Sequence, residues 1–108
     1  MESFLPAIAQ RARFAPEKMQ KLDAAQTDRL LLGLNCLEPG QSQAVHAHAG
    51  ADKFYLVLSG AATLVVGDAS RACTAGDLVV APAGVPHGIA RAHERTVILV
   101  GITRESTG

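Results

Sequence analysis

From residue 27 to residue 103 the chain alternates short runs rich in Val, Leu and Thr with punctuation by Gly, Pro and Asp. Short apolar or alternating runs bounded in this way read as β-strands. The pattern predicts strands near 28–37, 42–48, 53–59, 61–66, 70–74, 77–81, 87–92 and 96–103. Turn residues fall between them at Pro39-Gly40, Ala49-Gly50, Ser59-Gly60, Gly67-Asp68, Ala75-Gly76 and along Pro82 to Pro86. Close-spaced short strands with Gly-rich turns predict an antiparallel sandwich or small barrel. The first 26 residues are patterned differently. Phe4, Leu5, Ile8 and Phe14 set against Gln10, Arg11 and Arg13 read as a short amphipathic segment, and Pro16 followed by Glu17 reads as a helix start over 16–22. The expected organisation is an N-terminal extension, 1–26, partly helical and covering a sheet edge or a second subunit, and one β domain, 27–108.

Composition narrows the classes of partner. At 108 residues the chain holds one domain, and 48% hydrophobic residues suffice for one core. Ten Lys+Arg against ten Asp+Glu argue against a broad basic surface for nucleic acid or anionic membrane. Aromatics at 4%, with no Trp, leave no stacking platform for single strands. Cys36 and Cys73 stand alone, without a CxxC or Cys/His cluster, and read as reduced core residues. The N-terminus has no continuous apolar stretch of the secretory kind, and no run is long enough to span a bilayer. A cytoplasmic protein is expected.

The candidate chemistry lies in three of the four histidines. His46 and His48 are two apart on an expected strand, so a period of two sends both imidazoles to one face. His87 opens a later strand after the Pro/Gly-rich loop APAGVPH. An HxH pair with one histidine from a distant strand can hold a divalent metal and leave positions open for water or substrate. By itself such a pair is more often a hydrogen-bonded surface feature. His93, within RAHER, reads as a solvated residue.

The spacing around these histidines carries more. One stretch runs Gly40, five residues, His46, one, His48, four, Lys53, six, Gly60. A second runs Gly76, five residues, Pro82, one, Gly84, two, His87, three, Arg91. Together they resemble the two signature motifs of the cupin superfamily, with 61–75 as the stretch between them and the resemblance extending over about residues 30–103. The resemblance implies an all-β fold, the cupin double-stranded β-helix or jelly-roll-like barrel, commonly homodimeric. It also implies a divalent transition metal (Fe, Zn, Mn or Ni) in the interior, held by His46, His48 and His87.

Two positions depart from the cupin pattern. Lys53 stands where the family has its glutamate ligand, and Arg91 where it often has asparagine. Either Asp52 supplies the carboxylate as a fourth ligand after a local shift, or the site has three histidines alone. Strand alternation and the preserved spacing from Lys53 to Gly60 favour the second. Lys53, Tyr55 and Val57 share one strand face, and His87 and Arg91 share another if their strand is unbulged. Inward Lys53 and Arg91 would make a pocket for a small anionic metabolite, with Tyr55 as a hydrogen-bond donor. Alternatively both cations reach the barrel mouth and pair with Asp52 or Asp77.

Three functions remain open on these residues. One is a metal-dependent enzyme of the dioxygenase, isomerase or lyase type, with Tyr55 and Lys53 as catalytic candidates. The others are a non-catalytic module binding a small metabolite with metal optional, and a cupin that has lost its metal. Retention of all three histidines argues against the last.

Overall fold

Alternation along the strands sorts side chains into an inner and an outer set, and the computed structural model, which describes residues 1–104, folds accordingly. Its strands are β1 (Gln20–Gln26), β2 (Leu30–Leu37), β3 (Gln43–His46), β4 (Lys53–Ser59), β5 (Ala61–Val66), β6 (Ala69–Thr74), β7 (Leu78–Ala81), β8 (His87–Ala92) and β9 (Thr96–Thr103). They form two antiparallel sheets, ordered β1-β2-β9-β4-β7 and β3-β8-β5-β6. The inner faces meet in a core of Leu37, Tyr55, Val57, Leu64, Ile89 and Ile98, all essentially buried. Each such side chain contributes roughly 1.5–3 kcal/mol on leaving water.

The near-continuous apolar run of β2 has a physical reason, since strands buried on both faces do not alternate. Its outward Leu34 and Cys36, with Val97 of β9, are covered by Ile8, Ala9, Ala12 and Phe14 of the N-terminal segment. That segment includes a single 3₁₀ turn, Ile8–Arg11. The Arg95 guanidinium lies 4.4 Å from the centre of the Phe14 ring and pairs with Glu38 at 2.7 Å, closing the edge of this second cluster. The extension thus packs on the outer face of its own sheet.

The helix expected over 16–22 does not form. Residues 20–26 are strand β1, paired in register from Gln20 opposite Cys36 to Gln26 opposite Leu31, with one irregularity between Asp23 and Ala25. The Pro16-Glu17 signal is local, whereas the ladder to β2 satisfies a whole run of backbone groups, so tertiary pairing wins. The expected strand over 42–48 stops at His46, leaving His48 in the loop. The last four residues of the expected 27–108 domain lie outside the described residues.

Gly60 permits the β4–β5 corner. Its φ is +88°, and a Cβ there would stand 2.3 Å from the Arg95 carbonyl oxygen. Among the described residues no helix is long and apolar enough to cross a membrane.

Candidate metal centre

Two irregularities in the smaller sheet build the site. Gln43 pairs with Ile89 and His46 with His87, so Ala44 and Val45 of β3 stand opposite the single Gly88 of β8. This bulge turns Gln43 and His46 to the same inner face, although they are an odd number apart. The close approach of the strands depends on Gly88, where a Cβ would lie 2.9 Å from the Gln43 carbonyl oxygen and 3.0 Å from the Val45 Cα. A second bulge lies where β8 pairs with β5, between Thr63 and Leu64. It places Ile89 opposite Leu64 and Arg91 opposite Thr63, leaving Ala90 as the extra residue. Arg91 is therefore turned outward and exposed, while Ala92 returns to the core. The condition on which Arg91 would have shared the face of His87, an unbulged strand, is not met. Arg91 lies outside the site.

His46, His48 and His87 converge, with one ring nitrogen of each lying within 4.8 Å of the others. The Nε2 atoms of His46 and His48 are 3.1 Å apart. In His46, Nδ1 lies 2.9 Å from the Ala44 carbonyl oxygen; in His87, Nδ1 lies 3.0 Å from that of Val85. A carbonyl can only accept, so both Nδ1 atoms carry a hydrogen, which in the neutral ring leaves Nε2 to present a lone pair to the centre. His87 is 1% exposed, and its buried Nε2 has no hydrogen-bond partner. Burial pushes the pKa of His48 and of His87 down and neighbouring positive charges push the same way, at His87 outweighing the opposite pull of the hydrogen bond to Val85. Neutral imidazoles with inward lone pairs are the state a metal requires. The donor set fits a divalent transition ion.

Asp52 is absent from this cluster. It is exposed, and its Oδ1 accepts the Ala83 backbone N–H at 2.8 Å, bracing the loop before His87. Asp77 is likewise engaged by its own turn, accepting the Thr74 N–H at 2.8 Å. Lys53 pairs with neither of them among the described residues. It points inward, 3% exposed, with Nζ 4.7 Å from the centre of the Tyr55 ring. Tyr55 is fully buried and donates its hydroxyl hydrogen to Gln43 Oε1 at 2.7 Å. Its ring centre is 6.2 Å from that of His87. His93 is exposed, its ring 2.7 Å from the Thr63 hydroxyl and its backbone N–H donated to the Ala61 carbonyl.

Burial, and then the charge of Lys21, lower the Lys53 pKa from 10.5 to about 8. Lys53→Met is therefore expected to stabilise the metal-free protein at pH 7 by about 1–3 kcal/mol. Below about pH 8 the lysine is charged in both folded and unfolded chains, and the burial cost is present in full. Between about 8 and 10.5 the folded chain has lost a proton that the unfolded chain keeps, so wild-type stability rises with pH and the gap closes. Denaturant melts of both proteins at pH 7 and pH 10.5 measure this. An unchanged gap would mean that the effect comes from packing alone.

Gln43 and Asn35 escaped the sequence reading. Asn35 is 4% exposed and Gln43 7%, and each has a buried amide nitrogen without a partner. The polar residue inside LLLGLNCL was a signal for Asn35. Gln43 gave none, because its inward turn comes from the bulge.

Two antiparallel sheets closed around an inward histidine cluster define a double-stranded β-helix with the means to hold a metal. The sequence profile of the cupin domain matches residues 33–103, and the chain belongs to the cupin family. The crystal structure of TT1209 from Thermus thermophilus is 39% identical over 89% of this chain and 91% of that one, with a TM-score of 0.80. An RmlC-like cupin from Desulfovibrio desulfuricans is 27% identical over 95% and 94%, with a TM-score of 0.79. KdgF from Halomonas sp. shares the fold at 21% identity, with 99% and 97% covered and a TM-score of 0.82. No curated protein matches the chain.

Proposed function

We propose that the protein is a metal-dependent cupin that takes a small anionic molecule into its barrel beside an ion held by His46, His48 and His87. The observation that carries this reading is the buried, unpartnered Nε2 of His87, held in that tautomer by Val85 and facing two further imidazoles. Three neutral ligands leave the ion its full charge, and inward Lys53 adds to it, so an anion is the complementary guest. A bound ion would polarise an oxygen of that guest as Zn, Mn or Ni, in isomerase or lyase chemistry, or support oxygenase chemistry as Fe.

Among the protein's own groups, Lys53 is the one suited to moving a proton, with a pKa of about 8. Burial pushes the Tyr55 hydroxyl far up, and its hydrogen bond is committed to Gln43; its part is to hold that amide. This favours, as second reading, a binding module that recognises the molecule without transforming it. Two further features belong to the proposal. Exposed Leu78 and Val80, 60% and 57% accessible on edge strand β7, support a homodimer. Free, buried Cys36 and Cys73 support a cytoplasmic setting.

Metal analysis by inductively coupled plasma mass spectrometry, on untagged protein never exposed to a nickel column, tests the reading. Near one equivalent of a transition metal per chain is expected, with light scattering on the same sample giving twice the chain mass. A well-folded protein that holds no metal and takes up none of Fe(II), Zn(II), Mn(II) or Ni(II) would overturn it.

A further inference from the structure

Between Gln43 of β3 and strands β1, β2, β4 and β9 the barrel keeps a cavity of about 70 Å³ lined by Lys21, Asn35, Gln43, Lys53, Val100 and Ile102 among others. Among its lining side chains the buried polar atoms without a partner are donors. Asn35 Nδ2 and Gln43 Nε2 have no partner, and the amide of Gln43 is oriented by the Tyr55 hydroxyl on its oxygen. The Lys53 ammonium has no ion pair among the described residues. The acidic residue of the lining, Asp23, is exposed, as is Lys21. Buried donors and a buried charge are retained at a cost unless something completes them.

We infer that Asn35, Gln43 and Lys53 form a seat for the carboxylate of a small organic acid whose other end faces the histidine centre. The inference deepens the function proposed above and rests on it for the role of the ion. Two amide N–H groups and an ammonium match an ionised carboxylate, which only accepts. The volume is several times the roughly 10–15 Å³ that one water needs on this measure, enough for a flat head group and the carbon behind it. Val100 and Ile102 offer nothing to the further oxygens of a tetrahedral anion and suit a carbon chain. The Tyr55 ring neighbours one residue of each region, with Lys53 Nζ 4.7 Å from its centre and the His87 ring centre 6.2 Å away.

Calorimetric titration of the chelator-treated full chain with sodium propionate, propionamide and inorganic phosphate at pH 7 tests the seat. Propionate is expected to bind, with propionamide at least about 10-fold weaker, since the amide lacks the charge that pairs with Lys53. Lys53→Met and Asn35→Asp, each checked for folding by a thermal melt, are expected to weaken propionate at least about 10-fold as well. Equal binding of propionate and propionamide, undiminished binding by both variants, tighter binding of phosphate, or no binding at tens of millimolar would overturn the assignment. Wild type that takes up metal but binds no propionate, with or without the ion, removes the seat and leaves the metal reading standing. Wild type that binds propionate and takes up no metal does the reverse.

Discussion

His87→Leu is expected to abolish stoichiometric metal binding while leaving the metal-free protein about as stable as wild type. Most substitutions of a fully buried residue destabilise, so the second half of this result is the informative one. In the metal-free protein the imidazole makes one hydrogen bond, to the Val85 carbonyl, and leaves Nε2 buried without a partner. The bond is worth roughly 0.5–1.5 kcal/mol, and the unmet nitrogen costs roughly 1–3 kcal/mol. Leucine of similar size, among Tyr55, Ile89 and their neighbours, removes both, so the two effects nearly cancel. The metal changes the balance for wild type alone. An ion at 100 times its dissociation constant adds about 2.7 kcal/mol of stability, or about 10 °C or more in melting temperature for a domain of this size. Thermal melts with chelator and with added ion, for wild type and variant, separate these contributions. A variant that loses several kcal/mol in chelator would make His87 a structural residue, and a variant that still takes up the ion would place the centre elsewhere.

The same residue shows how far the sequence could be read. The two spaced motifs led to the fold and to the three histidines that converge, although the ground of strand period fails for His48, which lies in the loop after β3. What the spacing could not carry was the effect of an extra residue. One bulge in β3 brings Gln43 to the inner face, and another in β8 takes Arg91 off it. Both are side-chain flips set by how two strands meet, and neither is written in the residues that flip. Strand β1 was hidden for a related reason, since its stability comes from the ladder to β2 and its own residues alternate weakly. By contrast Lys53 was readable, because β4 runs unbulged from Lys53 through Val57 and period two holds there.

That reading of Lys53 leads to the largest change in affinity expected of a single substitution. Lys53→Glu is expected to tighten binding of a divalent transition ion by at least about 100-fold. The cupin pattern has glutamate at this position, and here the side chain lies inward on the face of Tyr55, whose ring lies beside that of His87. The charge of Lys53 is felt at both His48 and His87, which places it within electrostatic reach of the centre. One unit charge about 7 Å from a divalent ion is worth about 5 kcal/mol at an effective dielectric constant of about 20. Reversing the charge at residue 53 removes a repulsion and adds an attraction, so a gain of about 3 kcal/mol, roughly 100-fold, remains even after the cost of burying the carboxylate. Competition with a chromophoric chelator gives both affinities directly. The seat for an external carboxylate should disappear in the same variant, because glutamate withdraws the ammonium and supplies a carboxylate of its own. Unchanged or weaker metal binding by a folded Lys53→Glu protein would show that position 53 does not face the ion, and with it the electrostatic case for an anionic guest would fall.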